Sequence, residues 1–230
     1  MSLYGVELVV ADAPEQVASI VADELAEAAR AGRAIALTGG RSPGRAYQLA
    51  AEREPDWGKA SLWWGDERCV PPDDDRSNYK LTRENLIDLL EVRPKEMRRI
   101  RGELGTEAAA QEYDVLLQDV RLGLVLLGLG PDGHAASLFP NAPTLAERER
   151  RAVPAEAGLE PFVERVTMTV PVLSSAPEVL FIVTGAEKAE AAERAFARPP
   201  SLETPASLIR SIPGTTRVVA DRAAASVLLD

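Results

Sequence analysis

One side chain in this sequence is suited by its ordinary pKa to take up and return a proton near neutral pH. His134 is the only histidine among 230 residues, and imidazole is the group that titrates in that range. It stands in Gly130-Pro131-Asp132-Gly133-His134, a glycine-bracketed turn that also carries a carboxylate. A carboxylate beside an imidazole orients the ring and favours its charged form. Asp132 or Asp66 can fill that role, and the spacing leaves the choice open. A second stretch, Gly39-Gly40-Arg41-Ser42-Pro43, joins a buried strand to a helix start. Glycines let the backbone approach a ligand, and the free N–H groups of a helix start point at anions. Arg41 adds a charge able to grip an oxyanion bidentately. A third stretch places Asp66, Glu67 and Arg68 in a row at the end of a strand. Lys188 falls in the first turn of a helix, where its charge opposes the dipole, and that placement points to a ligand. Arg165 lies on an alternating strand with Thr167 and Thr169 on the same side.

The elements that must position these residues follow from periodicity. Leu122 to Leu129 is an apolar run broken only by two glycines, the pattern of a strand buried on both faces of a parallel sheet. Further strands are predicted at Leu3 to Val10, Ala34 to Thr38, Ser61 to Gly65, Val163 to Val170, Val179 to Thr184 and Arg217 to Ala220. Helices are predicted over Pro14 to Arg30, Pro43 to Arg53 with Ser42 as N-cap, Ser77 or Asn78 to about Leu90, Gly105 to Asp119, and from Gly185 to about Ala197. A short helical turn is expected over Ala206 to Ser211. The segment Asn141 to Pro161 reads as a polar loop with a short helix. The alternation is that of an α/β fold, in which ligands bind at the carboxyl ends of the strands. The whole chain, 1–230, reads as one domain.

Composition narrows the partners. The chain has 26 Lys and Arg against 36 Asp and Glu, a formal net charge of −10. Nucleic acid is excluded as the expected partner, because a phosphate backbone calls for a basic surface. A small anion remains possible if its site is locally basic. The start of the chain lacks the basic residues of a secretory signal, and no apolar run is long enough to span a bilayer; a cytoplasmic protein with no membrane contact is expected. Cys69, the lone cysteine, reads as a small buried hydrophobe rather than a nucleophile. Gly128-Leu129-Gly130-Pro131-Asp132-Gly133 formally matches G-x-G-x-x-G, but Pro131 and Asp132 fill its middle and no strand with a terminal acid follows. Nicotinamide and flavin binding are therefore not expected.

Taken together, LTGGRSPG (Leu37 to Gly44), WGDERCVPPDDDRSNY (Trp64 to Tyr79) and LLGLGPDGHAASLFP (Leu126 to Pro140) resemble the 6-phosphogluconolactonase family. This family lies in a wider group with glucosamine-6-phosphate deaminase and ribose-5-phosphate isomerase. ERVTMTVPVL, TGAEKA, PASLIR and the terminal ADRAA extend the resemblance over nearly the whole chain. It implies a Rossmann-like three-layer fold, a mainly parallel sheet with helices on both faces. It implies hydrolysis of 6-phospho-D-glucono-1,5-lactone in the oxidative pentose phosphate pathway, with no cofactor and no metal. The ASLFP ending favours the lactonase over the deaminase, whose histidine loop continues with phenylalanine, asparagine and glutamate. The expected catalytic residues are His134, Asp132 and Asp66. The expected substrate-binding residues are Gly39, Gly40, Arg41, Ser42, Glu67, Arg68, Arg165 and Lys188. The partner implied is a phosphosugar lactone, bound by a monomer or small homo-oligomer.

Overall fold

The computed structural model describes residues 3–158, 160 and 162–229; Pro161, the last residue of the segment read as a polar loop, lies outside them. Its strands are β1 (Glu7–Ala11), β2 (Ala34–Leu37), β3 (Ser61–Trp64), β4 (Asp66–Arg68), β5 (Glu96–Arg98), β6 (Leu124–Gly128), β7 (Ala152–Ala155), β8 (Arg165–Met168), β9 (Glu178–Val183) and β10 (Thr215–Asp221). The helices are α1 (Pro14–Arg30), α2 (Pro43–Arg53), α3 (Asn78–Asn85), α4 (Thr106–Leu117), α5 (Val170–Leu173) and α6 (Ala189–Phe196).

Seven strands form one parallel sheet in the order β1-β10-β9-β6-β2-β3-β5. From β2 the chain builds outward through β3 to β5. It then returns to the other side of β2 with β6 and continues through β9 to β10. The direction therefore reverses between β2 and β6, and such a switch point opens a crevice at the strands' carboxyl ends. The interior strands β2, β3, β6 and β9 are almost wholly buried, which is why they read as continuous apolar runs. α1 buries Val17, Val21 and Leu25 at helical spacing and packs on α2 and over β9 and β10.

Two buried tyrosines finish the strands that deliver the glycine loop and the Asp66 loop. Tyr47 on α2 donates its hydroxyl to Thr38 O at 2.6 Å and accepts from Thr38 N at 3.1 Å. Tyr113 on α4 does the same for Trp64, donating to its carbonyl at 3.0 Å and accepting from its N–H at 2.9 Å. Each hydroxyl satisfies backbone groups at the point where the ladder stops and the loop begins.

Several sequence expectations change. The acidic row Asp66-Glu67-Arg68 is itself a strand, paired antiparallel with β8 in a second sheet, β4-β8-β7. β7 arises inside the segment read as a loop with a short helix; the helix there is a 3-10 turn, Pro143–Ala146. Its four residues include Pro154, which hides a strand signature. β5 was not expected either, being a short charged edge strand of the kind that discourages sheet-to-sheet pairing. α3, expected to run to about Leu90, stops at Asn85 and a 3-10 turn follows, which leaves Leu89 51% exposed. The first strand begins at Glu7, after Gly5 at φ +65°. No helix among the described residues is long and apolar enough to cross a membrane.

Candidate active site

A cleft of about 550 Å³ opens over the switch point, and loops from β2, β3, β6 and β9 form its walls. Gly39, Gly40, Arg41 and Ser42 come from the β2 loop, Asp66 and Arg68 from β4, His134 from the β6 loop, Arg165 from β8, and Lys188 from the β9 loop. All nine were expected at a site, and the fold brings them together from five stretches of chain.

The histidine loop is built around close approach. His134 Nδ1 lies 2.6 Å from Asp132 Oδ1, which also accepts the His134 backbone N–H at 3.1 Å. Burial opposes ionisation of Asp132, but the hydrogen bond and charge of His134 more than offset it, so the carboxyl lies below the usual carboxylate range. An ionised carboxylate only accepts, so Nδ1 donates to it, and the tautomer this assigns to the neutral imidazole has its lone pair on Nε2. Asp132 is thus the carboxylate that orients the imidazole, and it stands behind the ring rather than on the cleft wall. Gly130 makes room for this pair, because a Cβ there would fall 2.0 Å from His134 Nδ1 and 2.6 Å from Asp132 Oδ1. Phe139 backs the ring at 4.9 Å between centroids, and the Arg165 guanidinium lies over the same phenyl at 5.3 Å.

Asp66 serves a different network. It is 4% exposed, and its Oδ2 accepts from Ser137 Oγ at 2.6 Å while Oδ1 accepts from Asn78 Nδ2 at 3.1 Å. Ser137 reaches it because Ala136 adopts φ 51°, a left-handed conformation that costs a non-glycine residue on the order of 1–3 kcal/mol. Asp66 therefore ties the histidine loop to α3 and lines the cleft without touching the imidazole.

Glu67 sits beneath the cleft, not on its wall. Its carboxylate accepts the backbone N–H groups of Arg68, Asn78 and Tyr79 at 2.7–2.8 Å and the Ser77 hydroxyl at 3.0 Å. Burial raises its pKa, and these backbone donors oppose the rise. Glu67, expected among the substrate-binding residues, does not line the cleft; its bonds fix the start of α3 against β4. Ser77 is the N-cap there, accepting from Lys80 N. Ser42, in contrast, precedes α2 without capping it; its hydroxyl crosses the crevice to Thr184 Oγ1 at 2.8 Å.

The cleft is locally basic in an acidic protein. Arg68 and Arg165 are direct cross-strand partners of β4 and β8, and like charges in that position repel. Burial lowers the Arg165 pKa, the Arg68 charge lowers it further, and Asp66 and Glu67 oppose the shift. Lys188 is likewise depressed by burial and then by Arg41, against the pull of Glu187 and Asp132. Cations gathered in this way at one cleft favour an anion there. Cys69 is half-buried with its thiol pushed up to about 11, first by burial and then by Glu164 and Glu67; it is no nucleophile at neutral pH. Among the described residues no cluster of three or more His, Cys, Asp or Glu is arranged to hold a metal ion.

Sequence reasoning missed Asn78, Ala136, Thr184 and Glu187, all on the cleft wall. Asn78 was read only as a possible cap; the signal that marks it is Gly39, whose Cβ would fall 1.7 Å from Asn78 Oδ1.

Comparison with known proteins places this arrangement. A family model described as glucosamine-6-phosphate isomerases/6-phosphogluconolactonase matches residues 7–219. A human 6-phosphogluconolactonase is 38% identical over 213 residues, covering 87% of this chain and 82% of its own. The 6-phosphogluconolactonase of Mycobacterium leprae is 36% identical over 217 residues, with 88% of each chain covered. The solved structure of 6-phosphogluconolactonase from Trypanosoma cruzi superposes with a TM-score of 0.85 at 25% identity, covering 100% of this chain and 99% of that one. The loops that converge on His134 are thus set in a chain that belongs to the glucosamine-6-phosphate isomerase/6-phosphogluconolactonase family.

Proposed function

We propose that this chain hydrolyses 6-phospho-D-glucono-1,5-lactone to 6-phospho-D-gluconate, with His134 as general base and then general acid. The observation that carries the reading is His134, held from behind by Asp132 at 2.6 Å, on the wall of a cleft that also holds Arg41, Arg68, Arg165 and Lys188. Nε2, unprotonated, removes a proton from water as the water oxygen bonds to the lactone carbonyl carbon. The resulting imidazolium is stabilised by Asp132. As the tetrahedral intermediate collapses, the bond from that carbon to the ring oxygen breaks, and the imidazolium returns its proton to that oxygen. The four cations supply the charge that a phosphate dianion and a developing oxyanion require. The glycine loop Gly39 to Ser42 approaches the phosphate or the polar edge of the sugar.

The test is His134→Ala assayed with phosphogluconolactone. Loss of a general base should lower the rate about 10²–10⁴-fold. The lactone also opens spontaneously, so near-wild-type acceleration above that background sinks the assignment. Release of ammonia from glucosamine 6-phosphate at a comparable rate would move the chain to deaminase chemistry. Tight phosphosugar binding without turnover would make it a sensor.

A further inference from the structure

The loop that carries His134 is held from outside itself. Pro131 O accepts from Arg194 Nη2 at 3.1 Å, and Gly133 O accepts from Ala206 N at 2.9 Å. These two carbonyls flank Asp132, the residue whose Oδ1 holds both the ring and the backbone N–H of His134. Arg194 lies on α6 and Ala206 in the 3-10 turn Pro205–Leu208, elements that follow the histidine loop by more than fifty residues of chain. Gly133, at φ +91°, brings the backbone against that turn, where a Cβ would fall 2.7 Å from Thr204 Cγ2. The turn is rigid in its own right: Ser207 Oγ donates to Thr204 O at 2.6 Å, and Thr204 N donates to Ser201 O at 3.1 Å. Neither Arg194 nor Thr204 lines the cleft. Glu190, at 3.9 Å and 89% exposed, is a weak competitor for the Arg194 guanidinium.

We propose that Arg194 is a positioning residue for the catalytic pair. Its guanidinium fixes the peptide unit that leads into Asp132, the Ala206 N–H fixes the one that leads into His134, and together they fix the carboxylate against His134 Nδ1. A site of this kind works only when its geometry is held to about 0.5 Å by neighbours that are themselves locked. Arg194 supplies such a restraint on the Pro131 side of the loop. The inference rests on the proposed role of His134 for its effect on rate, but not for its effect on the hydrogen bond.

That separation sets the experiment. Because His134 is the only histidine, the imidazole region of the proton and nitrogen NMR spectra reports one residue. Arg194→Met removes the donor while keeping a long side chain, Arg194→Lys returns a donor, and Thr204→Ser removes the methyl that packs on Gly133. In Arg194→Met the low-field Nδ1 proton should weaken or broaden. kcat should fall on the order of tenfold, short of the 10²-fold loss that a 1 Å misplacement brings, with KM unchanged. Arg194→Lys should restore both, and Thr204→Ser should shift both in the same direction by less. A wild-type Nδ1 signal and kcat in Arg194→Met and Thr204→Ser alike would overturn the proposal. A fall in kcat with an unaltered Nδ1 signal would overturn it too. If the wild-type chain hydrolyses no lactone, the proposed function fails, while the Nδ1 signal alone still decides whether Arg194 positions the pair.

Discussion

At the scale of single residues, the site is made by what is left out as much as by what is present. Gly130 carries no side chain because the space belongs to the imidazole and its carboxylate. Gly130→Ala should therefore act on catalysis directly. The added methyl cannot coexist with a 2.6 Å His134–Asp132 contact, so the pair must separate. We expect kcat to fall on the order of 10²-fold, with affinity for 6-phosphogluconate nearly unchanged, because the four cations are elsewhere. Product binding by calorimetry beside the kinetic assay checks this; a variant that loses affinity and keeps kcat contradicts it.

At the scale of elements, the loops are aimed by the strands that end beneath them. Tyr47 closes the end of β2 by bonding both backbone groups of Thr38. Tyr47→Phe leaves a buried N–H and C=O without a partner, a loss on the order of 1–3 kcal/mol for each buried group left unsatisfied. The urea midpoint should drop at unchanged slope, and KM should rise because Gly39 to Ser42 leave from the same strand end. Neither tyrosine was legible in the sequence as a strand terminator, since a buried aromatic on a helix looks like any core residue until its hydroxyl has a partner. The strongly periodic elements were legible, and α1 and α2 match their expected bounds. β4, β5 and β7 were not: three or four residues with charges or proline carry too few alternations to show a period. The same limit explains Glu67. Adjacent residues on a strand face opposite ways, so once Asp66-Glu67-Arg68 became a strand, Asp66 and Arg68 faced the cleft and Glu67 had to face away.

At the scale of the whole molecule, a chain of net charge −10 gathers Arg41, Arg68, Arg165 and Lys188 around one crevice. Bringing like charges together in a half-buried place opposes folding, and a bound anion would offset that cost. Lys188 is the cation on which this is most readily read. Burial and Arg41 push its pKa below the ordinary 10.5, so the folded protein disfavours its charged form relative to the unfolded chain. The sign follows: keeping Lys188 charged costs stability at neutral pH, and that cost falls away as pH rises through the depressed folded value. Lys188→Met should therefore raise the melting temperature of the unliganded protein. It should also weaken 6-phosphogluconate binding about 10- to 100-fold, the worth of one hydrogen bond to a charged group, with kcat little changed. In the wild-type protein the same ligand should raise the melting temperature by mass action, and that rise should shrink in the variant. Binding should weaken with rising pH already below 10.5, and Lys188→Met should lose this alkaline limb. A variant that melts lower and binds as before would show that Lys188 serves the fold rather than the anion.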